Sequence, residues 1–188
     1  MEALSVGDIV LRLGAALALG ALVGLERERK HRPAGFRTMI LISLGSSGFV
    51  ILGMEAILSM ATSLAEAGLT GATNNTQARL IGQAEISRVI QGLIGGIGFL
   101  GAGAVIQNKR AVRGLTTAAA VWVTAAIGAA CGLGLFKLAC ILAVMTLFTL
   151  VVLEIVENRY FPDPEEFEET FKKKNGKSGE HEPMSAKE

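Results

Sequence analysis

Several residue types are scarce in this 188-residue chain: two cysteines, one tryptophan, one tyrosine and four prolines. Cys131 and Cys140 both lie in strongly apolar surroundings, which excludes a disulfide framework or a cysteine-rich metal site and leaves two small hydrophobes. No lysine or arginine occurs in the first eight residues, where Glu2 and Asp8 stand instead. That is the reverse of the basic start of a cleavable signal peptide, so the first apolar run reads as a permanent span. Acidic residues are missing from the middle of every apolar run, which counts against a proton or cation pump. The net charge of +1 gives no case for nucleic acid as a partner. Nothing resembles a catalytic set, a nucleotide site or a metal site, so neither an enzyme nor a cofactor is expected.

What the chain has in quantity is apolar sequence, 51% of all residues, and glycine, 23 in number. Ile9 to Leu25 is interrupted only by Arg12, and Thr38 to Met54 carries no charge. Twenty residues without an ionisable side chain separate Arg88 from Lys109, twenty-three separate Arg113 from Lys137, and sixteen separate Lys137 from Glu154. At ~1.5 Å per helical residue and a hydrocarbon core ~30 Å thick, each run spans a membrane once. The stretch from Arg113 to Glu154 is twice too long for one crossing and must fold back, with Gly132-Leu133-Gly134 as the place. The prediction is an all-α bundle of five transmembrane helices, near 8–26, 36–59, 86–107, 114–132 and 136–157. Residues 61–85 form a loop between spans, and two regions result: a membrane domain over 1–160 and a polar, partly disordered tail over 161–188. In that tail Asp163-Pro164-Glu165-Glu166 is a plausible start for a short helix.

Basic residues set the orientation. Arg27, Arg29, Lys30, Arg32 and Arg37 follow the first span, Lys109, Arg110 and Arg113 follow the third, and six more lie in the tail, together 14 of the 18 Lys and Arg. Short basic connections stay cytoplasmic, which predicts an outer amino terminus and an inner carboxyl terminus.

Three clusters compete for a functional reading. Gly96-Ile97-Gly98-Phe99-Leu100-Gly101 satisfies a dinucleotide-binding pattern, but no strand precedes it and no acid follows about twenty residues on. Gly92, Gly95, Gly96, Gly98, Gly101 and Gly103 instead suggest a flat strip for close helix packing, within the chain or between two copies of it. A helix broken by these glycines, exposing carbonyls to an ion, is the alternative. At the end of span one, Glu26 stands at a negative helix terminus and Arg37 at a positive one, so a Glu26–Arg37 or Glu26–Arg27 pair is expected. Toward the opposite face, Arg12 is placed to pair with Asp8, and Glu55 and Arg88 lie at the same level.

Taken in order, Gly24-Leu25-Glu26-Arg27-Glu28, Ala34-Gly35-Phe36-Arg37-Thr38, Leu44-Gly45-Ser46, Arg88-Val89-Ile90-Gln91-Gly92, Gly96 to Gly103, then Arg113-Gly114-Leu115-Thr116-Thr117-Ala118-Ala119 and Trp122, the chain resembles the MgtC/SapB family over residues 8–157. The resemblance implies a bacterial inner-membrane protein linked to growth in low magnesium. For the best-known, longer members it also implies survival in phagocytes and restraint of the membrane ATP synthase. Those members continue into a soluble ACT-like domain, whereas this chain is more similar to the short YhiD/SapB type. The matching family positions are Arg12, Glu26, Arg27, Arg37, Thr38, Arg88, the span-three glycines, Thr116, Thr117 and Trp122. The expected function is non-enzymatic, in magnesium or envelope-stress homeostasis, through docking on other membrane proteins or on a second copy, with a dimer as the simplest form. A transporter or channel for Mg²⁺ or another ion is the competing expectation. It would need oxygen ligands that only Glu55, Glu85 and Glu26 suggest.

Overall fold

A computed structural model describes residues 4–66, 75–108, 111–153, 155, 156 and 159 of the chain. Five α-helices follow one another: α1 (Val6–Arg29), α2 (Phe36–Glu66), α3 (Asn75–Gly103), α4 (Leu115–Gly132) and α5 (Phe136–Phe148). Five helical segments are long and apolar enough to cross a membrane: Val6–Arg29, Phe36–Ser63, Ala84–Gly103, Leu115–Gly132 and Phe136–Leu153. The five-span, all-α reading of the sequence holds. Its boundaries move, because α2 runs on to Glu66 and α3 already begins at Asn75, within the stretch expected to be a loop. The short helix expected after Asp163 lies outside the described residues.

A two-stranded antiparallel hairpin, β1 (Ile106–Asn108) and β2 (Ala111–Arg113), joins α3 to α4 with Ile106 opposite Arg113. The hairpin brings Ala104 back against Gly114, whose φ of 91° suits glycine and whose missing side chain leaves room for the Ala104 carbonyl. Between α4 and α5 the turn falls where the sequence placed it. Gly134 takes φ 76°, its N–H donates to Cys131 O at 2.9 Å, and Leu135 N–H donates to Ala130 O at 2.8 Å. This is the paired closure of a helix end that favours glycine one residue past the cap.

The chain divides into two compact units, Met1–Leu147 and Phe148–Glu188. In the second, Thr149–Leu153 winds as a π-helix. In the first, α1, α2 and α4 make the tightest part of the bundle. Lipid tails are as apolar as leucine, so helices in a membrane associate by close packing and hydrogen bonds and not by burying apolar surface from water. The sequence supplies what that requires, small residues four apart on three helices. A side chain on Gly20 would come within 2.7 Å of Ser43 Cβ, and one on Gly24 within 2.8 Å of Phe36 Cα. On α4, Gly128 admits the Ser43 carbonyl, and a side chain on Gly132 would stand 2.7 Å from the Ser47 carbonyl. Ser43 Oγ closes the seam by donating to Ala16 O at 2.7 Å. Helix α3 joins this core through Ile97, which packs with Met39, Ala120, Val121 and Ala125, and through Val89 against Gly53.

The glycine strip expected to pack α3 does not do so inside the chain. Beside Gly92, Gly95, Gly96, Gly98 and Gly103 there is open space where a Cβ would stand, and only Gly101 meets a neighbour, Ala118 Cβ at 3.8 Å. The reason is helical periodicity: Leu93, Ile97 and Gly101, four apart, form the inward face, and the other glycines fall away from it.

Candidate functional site

A buried, hydrogen-bonded polar group lies where α1 ends, α2 and α4 begin, and α3 stops. Helix α1 closes with Lys30 as its cap, His31 in the left-handed region at φ 51°, and the N–H groups of His31 and Arg32 donating to Glu28 O and Arg27 O, each at 3.0 Å. Pro33 follows, as it often does just past such a cap. Ala34 is also left-handed, at φ 56°. Two non-glycine residues held there cost roughly 1 kcal/mol or more each, which this short connection tolerates only because its surroundings fix it.

Arg27, in the last turn of α1, is 3% exposed. Its Nη2 donates to Thr117 Oγ1 at 2.6 Å and to the Pro33 carbonyl at 3.2 Å. A cation at a helix carboxyl terminus is favoured by the dipole, and a charge taken out of water needs such hydrogen bonds to be tolerated. Thr117 is itself 4% exposed, in the first turn of α4. The next residue back, Thr116, is exposed, as are Thr38 and Arg37. The structure therefore brings together Arg27 and Thr117 from the residues singled out in the sequence, and leaves Arg37, Thr38 and Thr116 on the surface.

The expected Glu26–Arg37 pair does not form. Glu26 Oε1 lies 2.9 Å from Lys30 Nζ, one turn further along α1, while Glu26 Oε2 is buried without a hydrogen-bond partner. The carboxylate that serves the start of α2 is Glu28, whose Oε2 accepts the Phe36 N–H at 3.0 Å. Gly35 is needed for it, since a side chain there would collide with Glu28 Oε2. Sequence reasoning passed over Glu28. The signal was its position at a loop of only six residues, close enough to reach the positive end of α2.

At the opposite end of the bundle Arg12 does not take Asp8 either. Asp8 is held by Ser5, whose Oγ donates to Asp8 Oδ2 at 2.7 Å and accepts the Asp8 N–H at 3.1 Å, capping α1. Arg12 instead donates to the carbonyl of Gly132 and lies 3.7 Å from Met54 Sδ. The physical cause is the orphaned carbonyls at the carboxyl end of α4, which attract a cation more than a solvated Asp does. Nearby, Glu55 Oε1 accepts the Leu4 N–H at 3.0 Å, and Arg88 pairs on the surface with Glu85 at 2.6 Å.

Between these ends the seam carries hydroxyls: Thr124 reaches Met39 Sδ at 3.5 Å, and Ser46 and Ser47 are buried without partners. Among the described residues no three His, Cys, Asp or Glu side chains stand together as a metal site would need. Beside Thr117 a cleft of about 540 Å³ opens, walled by Pro33 and Ala34 of the α1–α2 turn and by Phe99, Leu100 and Gly103 of α3.

Comparison with known proteins matches residues 13–159 to the MgtC family. Over 147 residues the chain is 41% identical to protein SrpB of Synechococcus elongatus, covering 74% of this chain and 71% of SrpB. It is 39% identical over 128 residues to protein MgtC of Salmonella typhimurium, covering 68% of this chain and 45% of MgtC. It is 37% identical over 146 residues to YhiD of Escherichia coli K12, named as a candidate magnesium transporter, covering 77% of this chain and 60% of YhiD. The chain thus spans only about half of the MgtC relative. No solved structure matches.

Proposed function

The chain belongs to the MgtC family, and from that premise we propose that it is a non-enzymatic protein of a bacterial inner membrane, acting in magnesium homeostasis by docking on other membrane proteins or on a second copy of itself. Five helices long and apolar enough to cross a membrane support the multi-pass reading, and the name of the YhiD relative supports the link to magnesium. The observation that carries the docking reading is the division of its glycines. Gly20 and Gly24 of α1 and Gly128 and Gly132 of α4 are consumed in closing the seam with α2, whereas Gly92, Gly95, Gly96 and Gly98 of α3 face outward with room for another helix backbone.

Transport is the rival. A Mg²⁺ path through the tightest part of the bundle would have to pass the Arg12 and Arg27 guanidinium groups, one at each end, and a seam in which backbone carbonyls already occupy the space beside Gly128 and Gly132. A divalent ion that sheds water reluctantly is poorly served by that route. The orientation we adopt puts the Arg27 end, with Arg29, Lys30, Arg32 and Arg37, on the cytoplasmic side.

Flux into liposomes containing the purified chain tests the reading. The expected result is Mg²⁺ entry equal to that of protein-free liposomes. Protein-dependent entry specific for Mg²⁺ would replace docking by transport.

A further inference from the structure

The cleft beside Thr117 has one polar side chain among its lining residues, and among the described residues that side chain uses only its acceptor capacity. Thr117 Oγ1 accepts from Arg27 at 2.6 Å. A hydroxyl that accepts still has one proton to donate, and no acceptor for it occurs among the described residues. The side chain is 4% exposed, and it lines the cleft. A guanidinium bonded to the oxygen polarises the hydroxyl and strengthens it as a donor. Pro33, Ala34, Phe99 and Leu100 form apolar walls around it. Of the carboxylates in the last turns of α1, Glu26 pairs through Oε1 with Lys30 and Glu28 accepts the Phe36 N–H, while Arg29 of α1 and Arg37 of α2 are exposed.

An amphiphile with a negative oxygen matches such a place better than a free ion, because the walls can bury hydrocarbon only if the ligand brings some. We propose that the cleft between the α1–α2 turn and the adjoining ends of α3 and α4 receives the phosphate-bearing head of an anionic membrane lipid, with Thr117 donating to a phosphate oxygen and Arg27 behind it supplying the charge. Basic pockets between membrane helices near the cytoplasmic surface bind anionic headgroups by this combination. The inference goes beyond the docking reading and does not need it. It uses the proposed orientation only to name the leaflet.

The test is native mass spectrometry of the full chain, purified in detergent and offered phosphatidylglycerol, phosphatidylcholine or inorganic phosphate. Phosphatidylglycerol should be retained about fivefold or more over phosphatidylcholine: both offer the same phosphate oxygens to Thr117, and the discrimination comes from net charge, since the choline ammonium cancels the attraction to Arg27. Inorganic phosphate should neither be retained nor raise the melting temperature. Gly103→Leu extends a side chain from a position with open space beside it, so the fold stands while the cleft fills and retention falls to the phosphatidylcholine level. Thr117→Val should lose retention and Thr117→Ser keep it. Equal retention of both lipids by the unaltered chain, or undiminished phosphatidylglycerol retention by Gly103→Leu, would overturn the proposal. Binding of inorganic phosphate without phosphatidylglycerol would overturn its assignment to a lipid. Liposome flux leaves all of these outcomes unchanged, so this failure and that of the docking reading are separable.

Discussion

Arg27 and Thr117 stand ninety residues apart in sequence, and their side chains meet at 2.6 Å inside the bundle. The bond ties the last turn of α1 to the first turn of α4, and the second bond of the same guanidinium, to the Pro33 carbonyl, fixes the turn between α1 and α2. Three helix ends are thus positioned by one side chain. Arg27→Gln should lower stability by ~1.5–3 kcal/mol, the range for a hydrogen bond to a charged group. Arg27→Lys should recover only part, since an ammonium cannot reproduce the fork of a guanidinium. Thermal unfolding of the purified chain in detergent measures both. Equal melting temperatures for all three forms would mean that the bond holds nothing together.

The glycines separate into two classes by what a side chain would meet. Gly128→Ala places a Cβ against the Ser43 carbonyl, a backbone atom that cannot step aside without moving α2. The expected outcome is a large loss of folded protein in membranes. Gly98→Ala meets open space and should leave the melting temperature of the monomer unchanged. If the outward strip seats a second copy, Gly98→Leu should shift the oligomer distribution toward monomer in cross-linking while monomer stability holds. A stable Gly128→Ala variant would refute the seam.

These two classes mark how far the sequence could be read. Span number, the all-α class and the Gly132–Gly134 turn followed from hydropathy and length alone, because the bilayer constrains both strongly. The packing face did not follow. Gly20 and Gly24, Gly92 and Gly96, and Gly128 and Gly132 all show the same spacing, and spacing does not say which helix lies opposite. What distinguishes the seam is a matching pair on α2, Ser43 and Ser47, also four apart, whose backbone enters against the α4 glycines. The charges were legible as places and not as partners. Side-chain charges alone pair Arg12 with Asp8 and Glu26 with Arg37 or Arg27, because a sequence does not display the backbone carbonyls that compete for them. The winning partner of Arg12 is a backbone carbonyl, and that of Glu26 is its own helix neighbour.

Arg12 offers a direct test of the carbonyl assignment. Arg12→Gln should lower stability by ~1–2 kcal/mol, since it removes a cation from the carboxyl end of α4. Asp8→Asn should cost only a few tenths of a kcal/mol, because Ser5 is the cap, an amide oxygen at position 8 can still accept from Ser5 Oγ, and what is lost is one charge in the first turn of α1 and no ion pair with Arg12. A double variant should show additive losses. Coupling between the two positions in a thermal-unfolding cycle would restore the Asp8–Arg12 pair.

Orientation can be read by chemical labelling. In a chain with Cys131 and Cys140 replaced by alanine, a cysteine at His31 should react with a membrane-impermeant maleimide only after spheroplasts are opened. A cysteine at Ser5 should react in intact spheroplasts. Both positions lie in described, exposed parts of the chain at opposite ends of α1. Labelling with the reverse accessibility would turn the protein over and move the Thr117 cleft to the other leaflet.

The two carboxylates near the end of α1 should part company in a comparison of stability with growth. Glu28 accepts the Phe36 N–H at the positive start of α2, so Glu28→Gln should cost about 1 kcal/mol of stability through the weakened cap and lost charge. Glu26 is different. One oxygen is paired with Lys30, but Oε2 is buried with no hydrogen-bond partner, an arrangement that costs free energy in the folded state. Removing the charge relieves part of that cost, so Glu26→Gln should leave the melting temperature unchanged or raised. A side chain kept at a stability cost is expected where function requires it. In cells that depend on this chain, Glu26→Gln should therefore impair growth in low magnesium despite normal folding, whereas Arg37→Gln, on an exposed side chain that forms no ion pair with that carboxylate, should not. Normal growth of Glu26→Gln at normal expression would make the buried oxygen a tolerated defect of packing and remove Glu26 from the functional set, leaving Arg27 and Thr117 as its core.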